Sequence, residues 1–133
     1  MRFVDSSFWV ALLIPRDQHH DDARALWEGE QGALVTTNHV LGETWTFLRR
    51  RAGHRAAVRF LDSSGASPRV SVEHVDAGTE DQAWRWLRRR DEREYSFVDA
   101  TSFAVMRRLR LHEAFAFDGD FGAAGFVEVR PPR

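Results

Sequence analysis

Four acidic residues of this sequence lie beside apolar stretches, where an ionised side chain is unfavourable. Asp5 and Asp118 each follow a short apolar run, Asp99 falls on the apolar face of a helical repeat, and Glu43 lies at the border of another such face. Burying an ionised carboxylate is costly unless it is paired, hydrogen-bonded or bound to a cation. Together the four acids therefore predict a site for a divalent cation.

Each acid taken alone also has a purely structural explanation. Asp5 suits a helix N-cap or a turn, and Asp99 suits the first turn of a helix, where the helix dipole favours an anion. Asp118 precedes Gly119 in a common turn signal, and Asp120 suits a turn still better. The predicted metal site depends on the acids converging, because their mutual repulsion is unfavourable without a cation.

Oxygen ligands alone favour Mg²⁺ or Mn²⁺ over Zn²⁺ in such a site. The chain contains no cysteine, and the run His19-His20-Asp21-Asp22 places its potential ligands on adjacent positions, which point in different directions from a helix. That run is predicted to start a helix rather than to bind a metal. A hard divalent ion activates water and stabilises charge on phosphate oxygens, so the acids predict hydrolysis of a phosphodiester.

Alternating strands and helices would position these acids. Strands are predicted at residues 2–4, 34–37, 70–75, 114–117 and 126–129, and helices at residues 8–14, 23–27, 39–51, 54–62, 80–90 and 97–111. Asn38 and Ser96 suit the N-cap positions of two helices. The alternation predicts an α/β fold with a mostly parallel central sheet of about four or five strands. Asp5 and Asp118 both follow a strand, so they share a sheet edge if those strands are neighbours.

The composition is that of one compact globular domain. The chain has 133 residues, of which 43% are hydrophobic, and a single domain over residues 1–133 is predicted. The absence of cysteine and lysine excludes disulfides, thiolate metal sites and lysine nucleophiles. The apolar N-terminal stretch is interrupted by Asp5, so no signal peptide or membrane span is predicted and a cytoplasmic location is expected.

Contact with a nucleic acid has to come from local features, because the formal net charge is only −1. Arginines are clustered at residues 49–51, at residues 88–90, and at residues 107, 108 and 110. They suit contacts with RNA phosphates, and the alternative is a solvated helix face. Trp45 is expected to pack in the core. Trp84 and Trp86 cannot both face one core, so one of them is expected at an interface or near RNA.

The motifs resemble those of PIN-domain ribonucleases, specifically the VapC-type toxins of bacterial toxin–antitoxin pairs. Residues 3–8, Phe-Val-Asp-Ser-Ser-Phe, are similar to the opening strand and first acid of that family, and Glu43 matches the acid on its third helix. Residues 96–100, Ser-Phe-Val-Asp-Ala, and residues 116–121, Ala-Phe-Asp-Gly-Asp-Phe, are similar to its third and closing motifs. The resemblance spans nearly the whole chain, and the order and spacing of the motifs make it specific.

The resemblance implies a three-layer α/β/α PIN-like fold and an endoribonuclease that depends on Mg²⁺ or Mn²⁺. By this resemblance Asp5, Glu43, Asp99 and Asp118 bind the metal and position a water for in-line attack on an RNA phosphodiester. Asp120 is a further ligand at a position that varies in the family.

The resemblance also implies supporting residues and partners. Ser7 corresponds to a small hydroxyl residue that orients the first acid or a bound water. The family forms homodimers, and a cognate antitoxin covers the acidic pocket to give a heterotetramer or a larger assembly. The antitoxin also represses the shared operon.

Other functions are conceivable for the same acids. The motif Asp118-Gly119-Asp120 suggests a phosphotransferase of the haloacid-dehalogenase type, and the strand-end acids suggest a response-regulator receiver. Both classes need a lysine, which the chain lacks. A catalytically inactive PIN fold that binds RNA or an antitoxin stays open as the alternative. Retention of all four acids favours the enzyme, and metal-dependent cleavage of RNA by the purified protein distinguishes the two.

Overall fold

A parallel sheet forms the centre of the computed structural model, which describes residues 1–132. Its strands are β1 (Arg2–Val4), β2 (Leu34–Thr37), β3 (Val70–Glu73), β4 (Glu113–Phe115) and β5 (Val127–Glu128). They lie in the order β3-β2-β1-β4-β5, and every neighbouring pair is parallel. The predicted α/β fold with a mostly parallel sheet is confirmed. The predicted domain of residues 1–133 also includes Arg133, which lies outside the described residues.

Helices connect and cover the strands. They are α1 (Ser6–Leu13), α2 (His20–Gly29), α3 (Asn38–Arg51), α4 (His54–Asp62), α5 (Ala77–Arg88), α6 (Phe97–Arg108) and α7 (Asp120–Ala123). Among the residues described, none of these helices has the length and apolar character that crossing a membrane requires.

Aromatic side chains pack the acid-bearing elements against one another. Phe8 on α1 lies 4.9 Å from Phe115 on β4, between ring centroids, and Phe103 on α6 lies 4.9 Å from Phe121 on α7. All four side chains are fully buried. Burial of each contributes about 1.5–3 kcal/mol, so the backbone around the candidate site is held by the core itself.

Several helix boundaries differ from the predictions, and the differences at α3 and α6 have a clear physical cause. The N-cap of α3 is Thr37, whose hydroxyl accepts from the Val40 amide, whereas Asn38 accepts from the amide of Val75. The helix α6 ends at Arg108 rather than at residue 111. A Schellman motif ends it, with Arg110 in the left-handed region at φ 57° where glycine is the usual residue, so no sequence signal marked this end.

Smaller differences concern the ends of other elements. The strand β3 stops at Glu73, and α5 begins at Ala77 because Asp76 caps it through the Thr79 amide. The short helix α7 was not predicted, since its four residues follow a glycine and contain another. The predicted strand at residues 114–117 lies one position earlier at its start and ends at Phe115.

Candidate active site

Three of the predicted acids converge at the carboxyl ends of the two central strands. Asp5, Asp99 and Asp118 each offer a carboxylate oxygen, and these oxygens lie within 4.8 Å of one another. Asp5 follows β1, Asp118 lies beyond the end of β4, and Asp99 comes from the first turn of α6. Because β1 and β4 are parallel neighbours, the chain leaves both strands at the same edge. We call these three side chains the acid cluster.

Asp5 is both a helix cap and a buried acid. It is the N-cap of α1 and is 1% exposed. Its Oδ2 accepts from the Ser7 amide at 3.2 Å and from Ser7 Oγ at 2.7 Å. Its Oδ1 is buried without a hydrogen-bond partner. A buried carboxylate oxygen that faces two other acids and lacks a donor fits a cation ligand.

Ser7 contacts two segments that carry members of the acid cluster, and its supporting role stays a prediction. Its hydroxyl donates to Asp5 Oδ2 and accepts from the Phe117 amide at 3.0 Å. Phe117 immediately precedes Asp118. One hydroxyl therefore orients the first acid and holds the backbone that carries the last one.

The segment that carries Asp118 is held by a tight turn. Gly119 has a φ of 83°, a backbone conformation that favours glycine. The Gly119 amide donates to Glu128 at 3.3 Å. Asp118 Oδ1 accepts from the Asp120 amide at 3.0 Å. These contacts fix the direction of the Asp118 side chain.

The surroundings of the acid cluster favour proton or cation uptake. Burial raises the pKa of Asp5 well above its ordinary value, and the charge of Asp118 adds to this, while the hydrogen bond from Ser7 opposes it. Burial likewise raises the pKa of Asp99 to about 7, against the lowering effect of the Ser96 amide and with the charge of Asp120 adding to the rise. Partial burial also raises the pKa of Asp118. A divalent cation would replace these protons.

The other two predicted acids lie at the edges of the acid cluster. Glu43 lines a cleft together with Asp118, and its Oε1 accepts from Ser6 Oγ at 2.5 Å. Asp120 is close enough to Asp99 to raise the pKa of that acid, but its Oδ1 accepts from Arg93 Nε at 2.6 Å. Asp120 therefore has a guanidinium partner. The same guanidinium reaches Asp118 only at its backbone carbonyl, at 3.1 Å, and no carboxylate of the acid cluster forms an ion pair among the contacts described.

The remaining candidate residues take structural positions. His20 begins α2, and its Nδ1 lies 2.8 Å from the Ala11 carbonyl oxygen. Within residues 1–132, the acid cluster is the only group of three or more His, Cys, Asp or Glu side chains with metal-ligand spacing. Trp86 is buried and Trp84 is half exposed, so the prediction that they face different surroundings is confirmed. Trp45 is partly buried against the core, as expected.

Two of the arginine clusters meet on one surface. Arg89 from the end of α5 and Arg107 and Arg108 from α6 line a single groove, together with Arg85 and Trp86. Burial and the charge of a neighbouring arginine lower the pKa of Arg107. Contact of this groove with RNA phosphates stays a prediction.

Three positioning residues escaped the sequence predictions. Ser6 lies in the first turn of α1, and no local pattern indicates that its hydroxyl reaches Glu43 on α3. Arg93 belongs to a charged run that is typical of a solvated loop, and no local signal marked its pairing with Asp120. Glu128 falls within a predicted strand, and the strand pattern does not indicate its contacts with two backbone amides. Those contacts depend on the turn that faces it.

Comparison with known proteins assigns this geometry to a family. The sequence model of the PIN-domain family matches residues 2–127 of this chain. This chain belongs to the PIN-domain family. Over 131 residues the PIN domain is 61% identical to the 23S rRNA-specific endonuclease VapC20 of Mycobacterium tuberculosis, and the match covers 98% of this chain and 99% of that protein. The predicted resemblance to VapC-type PIN ribonucleases is confirmed.

Solved structures agree with this assignment. The crystal structure of Mycobacterium tuberculosis VapC20, described as a sarcin–ricin loop cleaving toxin, matches the PIN domain with a TM-score of 0.93 at 60% identity, over 98% of this chain and 100% of that one. A VapC ribonuclease of Archaeoglobus fulgidus is 29% identical over 123 residues, covering 89% of this chain and 77% of that protein. A toxin–antitoxin complex from Klebsiella pneumoniae, with a TM-score of 0.58 at 12% identity, shares the fold.

Proposed function

We propose that this PIN domain is a toxin endoribonuclease that depends on Mg²⁺ or Mn²⁺ and cuts the sarcin–ricin loop of 23S rRNA. The observation that carries the proposal is the acid cluster, in which Asp5, Asp99 and Asp118 place carboxylate oxygens within 4.8 Å of one another. Within residues 1–132 none of these carboxylates forms an ion pair. The RNA is proposed from the identity of 61% to an endonuclease named as specific for 23S rRNA, whose crystal structure is described as that of a sarcin–ricin loop cleaving toxin.

The acid cluster suits a hard divalent cation in its ligand atoms. Asp5, Asp99 and Asp118 would hold the ion. Asp5 Oδ1 has the greatest need of it, because this oxygen is buried and has no hydrogen-bond partner. When bound, the ion would activate water and stabilise negative charge on the scissile phosphate. Asp120 is proposed as a weaker contributor, because Arg93 already neutralises it.

The side chains around the acid cluster would orient the reactants. Ser7 would keep Asp5 in its present rotamer through the bond to Oδ2. Glu43 faces the same cleft as Asp118, with Oε1 held by Ser6, so Oε2 is the atom that we assign to accept the proton of the attacking water. Hydrolysis would form a phosphorus–oxygen bond to the water and break the one to the departing ribose oxygen. A phosphate monoester would remain on one side of the cut and a hydroxyl, protonated as it leaves, on the other.

The activity is tested with the purified protein and a synthetic RNA hairpin of the sarcin–ricin sequence. Cleavage at one site is expected with Mg²⁺ or Mn²⁺ and none with EDTA, and restored metal should restore it. A hairpin with the same stem and a scrambled loop is the matched control. Cleavage that persists in EDTA would contradict the metal site, and RNA binding without cleavage would favour the inactive PIN alternative.

We propose further that the protein acts in the cytoplasm as a homodimer and pairs with an antitoxin in a heterotetramer or larger assembly. Trp84 supports a protein interface, because it is 50% exposed and stacks on Phe97 with 4.2 Å between ring centroids. Sedimentation of the wild type and of Trp84→Gln tests the dimer, and a monomeric wild type would contradict it. Co-purification with the product of a short neighbouring reading frame tests the antitoxin.

A further inference from the structure

A cleft of about 470 Å³ opens directly beside the acid cluster. Asp118 and Glu43 are acidic residues that line it, and Val10, Phe47 and Phe117 give it apolar walls. Its volume lies in the range of pockets that take small organic groups. Because one of its lining residues belongs to the acid cluster, whatever fills the cleft lies next to the scissile bond.

The loop between α1 and α2 also lines the cleft, and contacts hold it in place. Asp17 Oδ1 accepts from the His19 amide at 2.8 Å. The His19 ring stacks on Phe117 with 4.6 Å between centroids and an interplanar angle of 4°. Gln18 lies between these two fixed residues and lines the cleft with an exposed side chain. The contacts on either side therefore fix the backbone from which the Gln18 side chain enters the cleft.

Phe47 is the most accessible apolar side chain of the cleft. It is 37% exposed, and it lies one helical turn beyond Glu43 on α3. The Arg51 guanidinium lies 5.2 Å from its ring centroid, which covers part of the ring. An aromatic ring exposed beside a proposed catalytic acid is costly in water and suits a stacking partner.

The negative charge of the cleft favours an uncharged part of an RNA, such as a base, over a phosphate. Asp17, Glu43 and Asp118 line it, and none of its lining residues within the described part of the chain is an arginine. A phosphate group would be repelled by these carboxylates, whereas an uncharged aromatic base would not. A glutamine amide has both donors and an acceptor for the edge of a base. The cleft therefore suits a nucleobase rather than the backbone.

We propose that this cleft receives the unstacked nucleobase adjacent to the scissile phosphate, with Phe47 as its stacking surface and Gln18 as the group that contacts its edge. The inference rests on the proposed ribonuclease function and adds a specificity site to it. Single-stranded RNA bases are commonly read in this way, on an aromatic face with hydrogen bonds to their edges.

The test uses the sarcin–ricin hairpin with one abasic ribose placed in turn at each nucleotide that flanks the cut. In the wild type, kcat/KM is expected to fall by about tenfold or more at one position, in line with the loss of a stacked base. Phe47→Ala and Gln18→Ala should lower kcat/KM on intact RNA, and the abasic substitution should add little in Phe47→Ala, because both changes remove the same contact.

Two controls separate this site from the acid cluster. Leu61→Ala removes an exposed apolar side chain on α4, outside the cleft, and should keep the full sensitivity to the abasic position. The affinity for Mn²⁺, measured by calorimetry without RNA, should be unchanged in Phe47→Ala and Gln18→Ala.

The outcomes distinguish the failure of each proposal. A wild type that cuts intact RNA but tolerates every abasic position within about twofold overturns the base site and leaves the ribonuclease intact. The same conclusion follows if the abasic loss is undiminished in Phe47→Ala, as expected for a cleft that serves only a protein partner. A wild type that cuts no RNA with either metal overturns both.

Discussion

Ser96 and Asp99 are joined by two reciprocal hydrogen bonds at the start of α6. The Ser96 amide donates to Asp99 Oδ2 at 3.0 Å, and the Asp99 amide donates to Ser96 Oγ at 2.9 Å. This capping box fixes the first turn of the helix, and the same carboxylate belongs to the acid cluster. Structure and chemistry thus depend on different properties of Asp99, namely an acceptor oxygen for the cap and a negative charge for the cation.

Asp99→Asn is expected to separate these two properties. The amide oxygen can still accept from Ser96, so the fold should persist by circular dichroism, while the lost charge weakens cation binding. Cleavage of RNA should fall by more than the roughly 10–100-fold that is typical for residues that only support a metal ligand. Growth inhibition on expression should disappear with it. Wild-type cleavage in the variant would refute the assignment.

Asp5→Asn is expected to stabilise the protein without metal while it abolishes cleavage. Burial and the charge of Asp118 raise the pKa of Asp5, so at pH 8 its ionised form is unfavourable in the folded state. Asparagine is an equally good N-cap and carries no charge. Urea unfolding in EDTA at pH 8 should show a higher free energy of unfolding for the variant. A lower value would mean that Asp5 stabilises the fold in its charged form.

The stability of the protein without metal should fall as the pH rises toward 7. The pKa of Asp99 is raised from 3.8 to about 7, so between these values the folded state binds more protons than the unfolded state. The free energy of unfolding then decreases with pH. The affinity for Mn²⁺ should change in the opposite direction, rising up to about pH 7, because the cation competes with the protons. Asp99→Asn is the control, and a slope that it leaves unchanged would contradict the assignment.

Asp120→Asn should cost less cleavage than Asp99→Asn. Asp120 is paired with Arg93 at 2.6 Å, so its charge is already neutralised, and it lies outside the group of converging ligand oxygens. We expect a measurable decrease in kcat/KM for Asp120→Asn. The kcat/KM values of the two variants are compared at identical metal and RNA concentrations. Equal losses, or a greater loss for Asp120→Asn, would show that the closing motif contributes a primary ligand.

Ser7→Ala should lower cleavage by roughly 10–100-fold, the usual effect of removing a group that orients a metal ligand. The change removes the bond to Asp5 Oδ2 and also the acceptor for the Phe117 amide. Affinity for Mn²⁺ should fall in parallel. Ser63→Ala is the matched control, since that hydroxyl donates only to the Arg59 carbonyl of its own helix. Equal behaviour of the two variants would exclude a role for Ser7 in the site.

The sequence was most informative where burial and charge conflict. Asp5 and Asp118 follow apolar strands, and parallel strands bring their carboxyl ends to one edge, so their convergence follows from simple rules. Asp99 was identified because its helical face is apolar. These patterns are local in the sequence, and the apolar residues that form them also make up the core that holds the acids in place.

The parts that escaped prediction depend on contacts between distant loops. The partnership of Arg93 with Asp120 joins two exposed segments whose relative position the full fold decides. The cleft wall at Gln18 similarly depends on the stacking of His19 on Phe117, which no periodic pattern encodes. Arg110 ends α6 in a conformation that most residues avoid, so the boundary depends on tertiary packing rather than on residue type.

The pairing of β1 with β4 places Phe3 beside Ala114, so the acid cluster depends on a contact between residues far apart in the sequence. Contacts between residues so far apart in sequence form slowly, since a long loop must close before they are gained. In a partly folded chain, β1 and the helices can form before β4 docks. Asp5 is then in place, but Asp118 is not beside it. Such partly folded molecules would be harmless to RNA, and loosening the seam between these two strands would silence the toxin from a distance.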